Sequence, residues 1–339
     1  MKAIHTIDSH TGGEGTRLVI NGLPPLRGAT MAEKMAETSQ SLGWLPGLLL
    51  REPRGHKDLY GALLTPACHP LADQGILFMN NRGYEPMCGH ALIGVITSLL
   101  ESGLFPASGP EVCLVIDTAA GLVPTWTKMQ DGRVLAVSFE NVPSFAVSLD
   151  AALHLPGGTQ LTVDVAFGGN YFVLVQARQV GIELLPANAG RLADLGMRVL
   201  AAANQQFEVR HPEIANIDRI TDVRFIDKLK GTDSGSRNIV VLGEAMIDRS
   251  PCGTGTCAEL AVRYARRQLR LGETFTSQGL LGTHFTAQVV REIQFPGNPP
   301  PYPVIIPRIE GRAFLTGYHR FILQDDDPFP QGFALTQSG

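Results

Sequence analysis

Asp248-Arg249-Ser250-Pro251-Cys252-Gly253-Thr254-Gly255-Thr256-Cys257 puts a carboxylate, two thiols, a proline and two glycines into ten residues and then opens an amphipathic run. From Ala258 to Leu271, the residues Leu260, Ala261, Tyr264, Ala265 and Leu269 fall at helical spacing, with Arg263, Arg266 and Arg267 largely on the other side. Cys252 is therefore expected at or just before a helix N-terminus. There the backbone N–H groups that lack intrahelical partners, together with the positive end of the helix dipole, favour both a bound anion and a thiolate.

The same design occurs earlier in the chain. Pro86-Met87-Cys88-Gly89-His90 precedes an apolar run of helix length, Ala91 to Ser102, closed by Gly103 as the residue after the C-cap. Two helices that each open on Cys-Gly predict two structurally related halves that face each other.

At 339 residues the chain is long enough for two domains, since single cores stop growing near about 250 to 300 residues. A net charge of −4 and no basic cluster argue against nucleic acid or an anionic membrane surface as partner. The apolar runs are too short to span a bilayer. Met1-Lys2-Ala3-Ile4-His5 lacks the apolar core of a signal peptide, which makes the cytoplasm the expected compartment. The five cysteines (Cys68, Cys88, Cys113, Cys252 and Cys257) show no metal-finger spacing, so no metal is expected. An odd count in an intracellular chain reads as free thiols. Cys68, Cys113 and Cys257 are expected as buried small hydrophobes, whereas Cys88 and Cys252 each stand beside a glycine at a helix start.

In chain order, Ala3 to Ile7 reads as a strand, Asp8 to Gly15 as a polar loop and Thr16 to Ile20 as a second strand. Thr30 is placed to cap a helix through Met31 to Leu42. Gly75 to Met79 reads as a buried strand leading to the first Cys helix. Glu111 to Thr118 reads as a strand, followed by a turn over Ala119 to Pro124. Further strands are expected at 134–139, 161–167, 171–176, 220–226, 238–242, 283–293 and 304–309, with a helix over Leu192 to Phe207. Gly231 to Ser236 and the Pro-rich Pro296 to Pro303 read as loops, because proline cannot donate to a central ladder. The pattern predicts an α/β (α+β) chain with a mixed sheet wrapped around the helix that starts at Cys88. A first domain is expected over 1–125, completed by about 312–339, and a second over 126–311.

Met87-Cys88-Gly89-His90 and Asp248 to Thr256, taken with Asp8-Ser9-His10-Thr11-Gly12-Gly13-Glu14, resemble the proline racemase family, which contains proline racemases, 4-hydroxyproline 2-epimerases and trans-3-hydroxyproline dehydratases. The resemblance spans nearly the whole chain. It implies a diaminopimelate epimerase-like fold: two similar domains, each a curved, mostly antiparallel sheet around a central helix, with the active site in the cleft between them. It also implies a homodimer.

Inverting the α-carbon of an amino acid requires removing a weakly acidic proton from one face and delivering another to the opposite face. Two thiols, one ionised and one neutral, do this in both directions by exchanging protonation states. A helix N-terminus is expected to bring a Cys pKa near neutrality. No pyridoxal lysine motif is evident, so no cofactor is expected and the site must stabilise the carbanion electrostatically. The backbone N–H groups of Gly89, His90, Gly253 and Thr254 are placed for the substrate carboxylate and its developing enolate charge. Asp248 is the expected counter-ion of the substrate ammonium, with His90 beside the same nitrogen.

The resemblance also bears on substrate. Cys at both catalytic positions resembles the racemases and epimerases, because typical 3-hydroxyproline dehydratases carry Thr where this chain has Cys252. Proline racemases tend to place Phe ten residues before the second Cys. Here Leu242 leaves more room, which favours 4-hydroxyproline, with proline and then trans-3-hydroxyproline as the alternatives. Three features depart from the family pattern. Gly15 stands where Pro usually follows the Glu, Asp222 stands where epimerases place a His against the ring hydroxyl, and Tyr84-Glu85-Pro86-Met87 differs from the commonest epimerases. Outside the family, a cysteine hydrolase lacks a readable third partner for Cys88 and His90. A thiol oxidoreductase or a non-catalytic imino-acid binding protein would use only part of the set.

Overall fold

Strands β1 (Lys2–Thr11) and β2 (Glu14–Asn21) are joined by Gly12 and Gly13 alone, at φ of 61° and 100°. Two successive left-handed residues match the twist of a tight hairpin, which is where glycine is required. The polar loop expected over 8–15 is therefore corrected. Asp8 pairs with Arg17, Ser9 with Thr16 and Thr11 with Glu14 across the ladder. Ser9, Thr11, Glu14 and Thr16 are buried although polar, so the apolar alternation that marks a strand was missing.

The hairpin belongs to the first of two compact units into which the computed structural model divides. That unit holds residues up to Phe139 and those from Gly311 onward, and the second holds Glu140–Glu310. The structure describes residues 2–214, 217–232, 234–295 and 299–334; Asp233, in one expected loop, and residues 296–298, in the Pro-rich one, lie outside them.

In the first unit β18 (Ala313–Leu323) lies antiparallel to β1, and β1 to β2. After α1 (Met31–Ser41) and α2 (Leu45–Leu50), β3 (Tyr60–Thr65) joins parallel to β2, and β4 (Gln74–Asn80) antiparallel to β3. The short β5 (Gly83–Glu85) folds back on β4 and leads into α3 (Gly89–Glu101). β6 (Glu111–Thr118) then pairs parallel to β4, and β7 (Gly121–Gln130) and β8 (Arg133–Glu140) extend the sheet antiparallel. The boundary expected at residue 125 would cut β7, where Thr125 pairs with both Leu114 and Phe139. Pro124, expected in a turn, also lies in this strand, opposite Val115.

The second unit repeats the order. β9 (Ser144–His154), β10 (Gln160–Phe167) and β11 (Tyr171–Gln176) run antiparallel, and after α4 (Ala189–Gln206) β12 (Ile220–Lys228) joins parallel to β11. β13 (Gly235–Leu242) is antiparallel to β12 and carries the short β14 (Met246–Asp248), which leads into α5 (Gly253–Ala265). β15 (Phe275–Gln278) pairs parallel to β13, and β16 (His284–Ile293) and β17 (Val304–Gly311) follow antiparallel. Val304 and Ile305 of β17 pair back to Phe145 and Ser144, closing the sheet around α5. Both units thus run antiparallel, antiparallel, parallel, antiparallel, parallel, antiparallel, antiparallel, with the helix after the short side strand at the centre.

The composition of the central helices explains their position. Every residue of α3 from Gly89 to Leu100 is buried, as expected of a helix apolar on all sides. Each of its Leu, Ile and Val side chains contributes about 1.5 to 3 kcal/mol of hydrophobic stabilisation. Thr97 and Ser98 are accommodated by donating to the carbonyls of Ile93 and Gly94, each at 2.8 Å. Gly103 ends the helix at φ 73°. α5 is buried as far as Val262 and stops at Ala265 because Arg267 turns left-handed at φ 58°, so Leu269, expected on its apolar face, lies beyond it. Thr30 caps α1 by accepting the Glu33 N–H at 3.1 Å. Of the thiols expected as buried hydrophobes, Cys257 is buried, whereas Cys68 is half-buried and Cys113 exposed. No helix among the described residues is long and apolar enough to cross a membrane.

Candidate active site

In the second unit a chain of local bonds winds the turn between β14 and α5. Asp248 Oδ1 accepts the Ser250 N–H at 2.8 Å, and Ser250 Oγ accepts the Cys252 N–H at 3.1 Å. Cys252 is the N-cap residue of α5 at φ 60°, ψ 107°, a conformation that costs a residue with a side chain about 1 to 3 kcal/mol. Its sulfur accepts the Gly255 N–H at 3.3 Å and lies 3.7 Å from Thr254 Oγ1, taking the capping place that Ser or Asp usually fills. Gly253 and Thr254 open the helix. Gly168 lets the β10–β11 turn pass beneath them, because a Cβ there would fall 2.2 Å from the Thr254 carbonyl oxygen.

Cys252 is only 4% exposed. Burial pushes its thiol well above the ordinary cysteine range, the Asp248 and Asp222 carboxylates add to the rise, and the Arg224 guanidinium and the Gly255 N–H oppose it. The near-neutral thiol expected from the helix terminus is corrected here, since desolvation of the sulfur outweighs helix end and cation together. Asp222 is fully buried in β12, its backbone paired with that of Leu242. Leu242 shares one apolar cluster with Met246 and Cys252. The Thr221 hydroxyl donates to Asp222 Oδ2 at 2.9 Å.

The first unit builds a different environment for its thiol. Cys88 caps α3 from an ordinary extended conformation, φ −142°, ψ 118°, and its side chain accepts no capping bond. Its sulfur lies 3.4 Å from Nδ1 of His90. His90 is buried with its ring edge-on to Tyr60, centroids 4.5 Å apart. The N-terminal motif grips this first turn: Thr11 Oγ1 donates to the His90 carbonyl at 2.8 Å. One turn on, a Cβ at Gly94 would fall 2.8 Å from Ser9 Oγ and 3.3 Å from Thr16. Asp8 serves structure instead, pairing with Arg17 at 2.7 Å, and Arg17 in turn holds the Arg54 carbonyl at 2.6 Å.

Gly89 and His90 thus gather at Cys88, and Gly253, Thr254, Asp248 and Asp222 gather around Cys252. Sequence reasoning missed what lies beneath Cys252: Arg224, fully buried, with Glu259, Asn238, Ser277 and Thr256 bonded around its guanidinium. Two signals were present: an arginine inside the otherwise strand-like Val223–Ile226, and a glutamate in the apolar stretch of α5. Among the described residues no cluster of three His, Cys, Asp or Glu is placed to hold a metal ion.

A family model described as proline racemase matches residues 6–334. The chain belongs to the proline racemase family. It is 37% identical to the proline racemase of Clostridioides difficile over 98% of each chain. It is also 37% identical to a 4-hydroxyproline 2-epimerase of Streptosporangium roseum, over 98% of this chain and 99% of that one. A solved structure of a hydroxyproline epimerase from Agrobacterium vitis, with bound trans-4-hydroxy-L-proline, matches with a TM-score of 0.90 at 34% identity, covering 99% of this chain and 98% of that one. The fold is diaminopimelate epimerase-like, and the protein is an amino-acid isomerase of the racemase and epimerase type.

Proposed function

We propose that the protein inverts the α-carbon of 4-hydroxyproline, converting trans-4-hydroxy-L-proline to cis-4-hydroxy-D-proline, with Cys88 and Cys252 as the two proton-transfer groups on opposite faces of the substrate. The observation that carries this reading is the repeated topology: each unit sets one cysteine at the N-terminus of its buried central helix. Burial and Asp248 favour the neutral thiol at Cys252, so the half-reaction described here starts with Cys252 as the proton donor and Cys88 as the base. The Cα proton passes to the Cys88 sulfur, the electron pair is held on the substrate carboxylate as an enolate, and the Cys252 proton is delivered to the other face. The two sulfurs then have exchanged states, ready for the reverse reaction.

The backbone N–H groups of Gly89, His90, Gly253 and Thr254 hold the carboxylate, and Asp248 pairs with the ammonium. That pairing offsets the carboxylate that raises Cys252, so substrate binding itself eases later ionisation of the thiol. The mechanism draws on no cofactor. The choice of 4-hydroxyproline rests on the epimerase relatives, on Leu242 in place of Phe, and on the buried Asp222 carboxylate as an acceptor for the ring hydroxyl. Proline is the second reading, favoured by the Thr221 hydroxyl that already donates to Asp222.

The test is incubation of the reduced protein in deuterium oxide with trans-4-hydroxy-L-proline, L-proline or trans-3-hydroxy-L-proline. Deuterium at the α-carbon and a D-configured product are expected, with 4-hydroxyproline preferred over proline by about tenfold or more, the worth of one buried hydrogen bond. A faster reaction with proline establishes the second reading, and loss of the 3-hydroxyl with little inversion establishes a dehydratase. Cys88→Ser and Cys252→Ser are each expected to lower inversion by about 10²- to 10⁴-fold with unchanged circular dichroism. Near-full activity in either removes that thiol from the mechanism.

A further inference from the structure

The buried ion pair beneath α5 is not explained by packing alone. Arg224 and Glu259 are 0% and 2% exposed in their side chains, with Nη2 3.0 Å from Oε2. A buried pair of this kind is often replaceable by apolar residues without loss of stability, so its presence calls for a use. All five guanidinium protons are engaged. Nε and one Nη2 proton go to Glu259 Oε2, at 3.1 and 3.0 Å, and the other Nη2 proton goes to Ser277 Oγ at 3.0 Å. The Nη1 protons go to Asn238 Oδ1 at 3.0 Å and to the Pro251 carbonyl at 3.2 Å.

Counting protons shows where this network points. Ser277 Oγ accepts from Arg224 and, at 3.0 Å, from Asn238 Nδ2, and its own proton lies between Thr256 Oγ1 at 2.8 Å and the Pro251 carbonyl at 3.2 Å. The Thr256 hydroxyl donates at 2.6 Å to the Cys252 carbonyl. Both carbonyls that bracket the left-handed Cys252 are therefore gripped from below. The guanidinium and the sulfur flank Gly255: a Cβ added there would lie 3.0 Å from Cys252 Sγ and 3.1 Å from Arg224 Nη1, and the positive charge of Arg224 acts on the thiol. The other charges acting on this sulfur, Asp248 and Asp222, are both negative.

We propose that Arg224, oriented by Glu259, is a positioning residue for Cys252: it holds the Pro251–Cys252 turn in its left-handed conformation through Pro251 and supplies the fixed positive charge at the sulfur. The inference rests on the two-thiol reading, deepening it at one of its sulfurs. Arg224→Lys keeps a cation but loses the planar fork that engages Glu259, Ser277, Asn238 and Pro251 together.

The experiment follows iodoacetamide alkylation of Cys252 peptide by peptide against pH, with steady-state racemisation alongside. In folded Arg224→Lys, Cys252 alkylation at pH 8 is expected to slow about tenfold, because the thiolate loses its placed cation, with the midpoint moving to higher pH. Alkylation of Cys252 at the wild-type rate and midpoint overturns the proposal, since a merely structural arginine would leave a folded protein's thiol reactivity unmoved. Ser277→Ala keeps the Arg224–Glu259 ion pair and removes the hydroxyl that joins Arg224, Asn238 and Thr256 to the Pro251 carbonyl. It is expected to lower kcat about three- to tenfold, one hydrogen bond's worth, with KM within about twofold and the alkylation midpoint unchanged; an unchanged kcat overturns the positioning role even if the lysine variant does not fold. Absence of racemisation in the wild type would sink the functional reading instead, while Cys252 alkylation would still test Arg224.

Discussion

The two units share a strand order and a thiol position but not a thiol environment. Cys88 caps α3 from an extended backbone beside an imidazole that packs on Tyr60. Cys252 caps α5 from a left-handed backbone, above a buried ion pair and beside two carboxylates. The difference teaches that topology places each thiol at a helix start, whereas the packing and side chains of the neighbouring strands set its surroundings. β1 and β2 face α3 with Ser9, Thr11, Glu14 and Thr16, and β12 and β13 face α5 with Arg224 and Asn238.

The contrast is broken most severely by removing a charge from the second unit alone. Asp248→Asn is expected to lower kcat/KM about tenfold to a hundredfold, the worth of a charge-assisted hydrogen bond. It should also speed alkylation of Cys252 at neutral pH, because a carboxylate that raises the thiol is gone; slower alkylation would contradict that electrostatic account. The central glycines sharpen the comparison next. Gly255→Ala presses a methyl against Cys252, Arg224 and Phe172, all at 3.0 to 3.1 Å, and is expected to cost about 1 to 3 kcal/mol in urea unfolding. Gly94→Ala meets chiefly the Ser9 hydroxyl, which rotates away, and should cost less. The reverse order would mean that α5 has slack the contacts do not show.

A further effect is alkaline. Burial raises both Cys252 and Cys257, the latter to about 12. The folded state therefore keeps two protons that the unfolded chain sheds near pH 8.5, and the stability they contribute is present below that pH and lost above it. The slope is about 1.4 kcal/mol per pH unit for each thiol. Melts from pH 8 to 10 should show the fall, and Cys257→Ala should make it shallower. The smallest effect is expected at the surface of the second unit. Arg266 bridges Asp150 and Asp164 at 2.8 and 2.6 Å while 25% exposed, and Arg266→Ala should cost less than about 1 kcal/mol in the same unfolding assay, far below any substitution of the buried Arg224.

Local chemistry by itself determined a good deal about this protein. The Cys-Gly pairs announced both central helices because glycine, capping and an apolar run act within one or two turns, and Thr30 and Gly103 marked helix ends for the same reason. The family was readable from three short motifs, and two of them carry the thiols together with Gly89, His90, Asp248, Gly253 and Thr254. Tertiary structure decided the rest. The N-terminal motif became a hairpin because two successive glycines turn it back and α3 covers its inward polar residues, where Thr11 bonds the His90 carbonyl. β7 kept Thr125 in the first unit through partners on either side that no local window contains. Only the folded second unit brings Arg224, Asn238, Glu259 and Ser277 into one network, since strands far apart in the chain meet there. The Cys252 thiol lies high rather than near neutral for a related reason: burial is a property of everything packed around a sulfur, and the residues next to it in the chain report only the helix end.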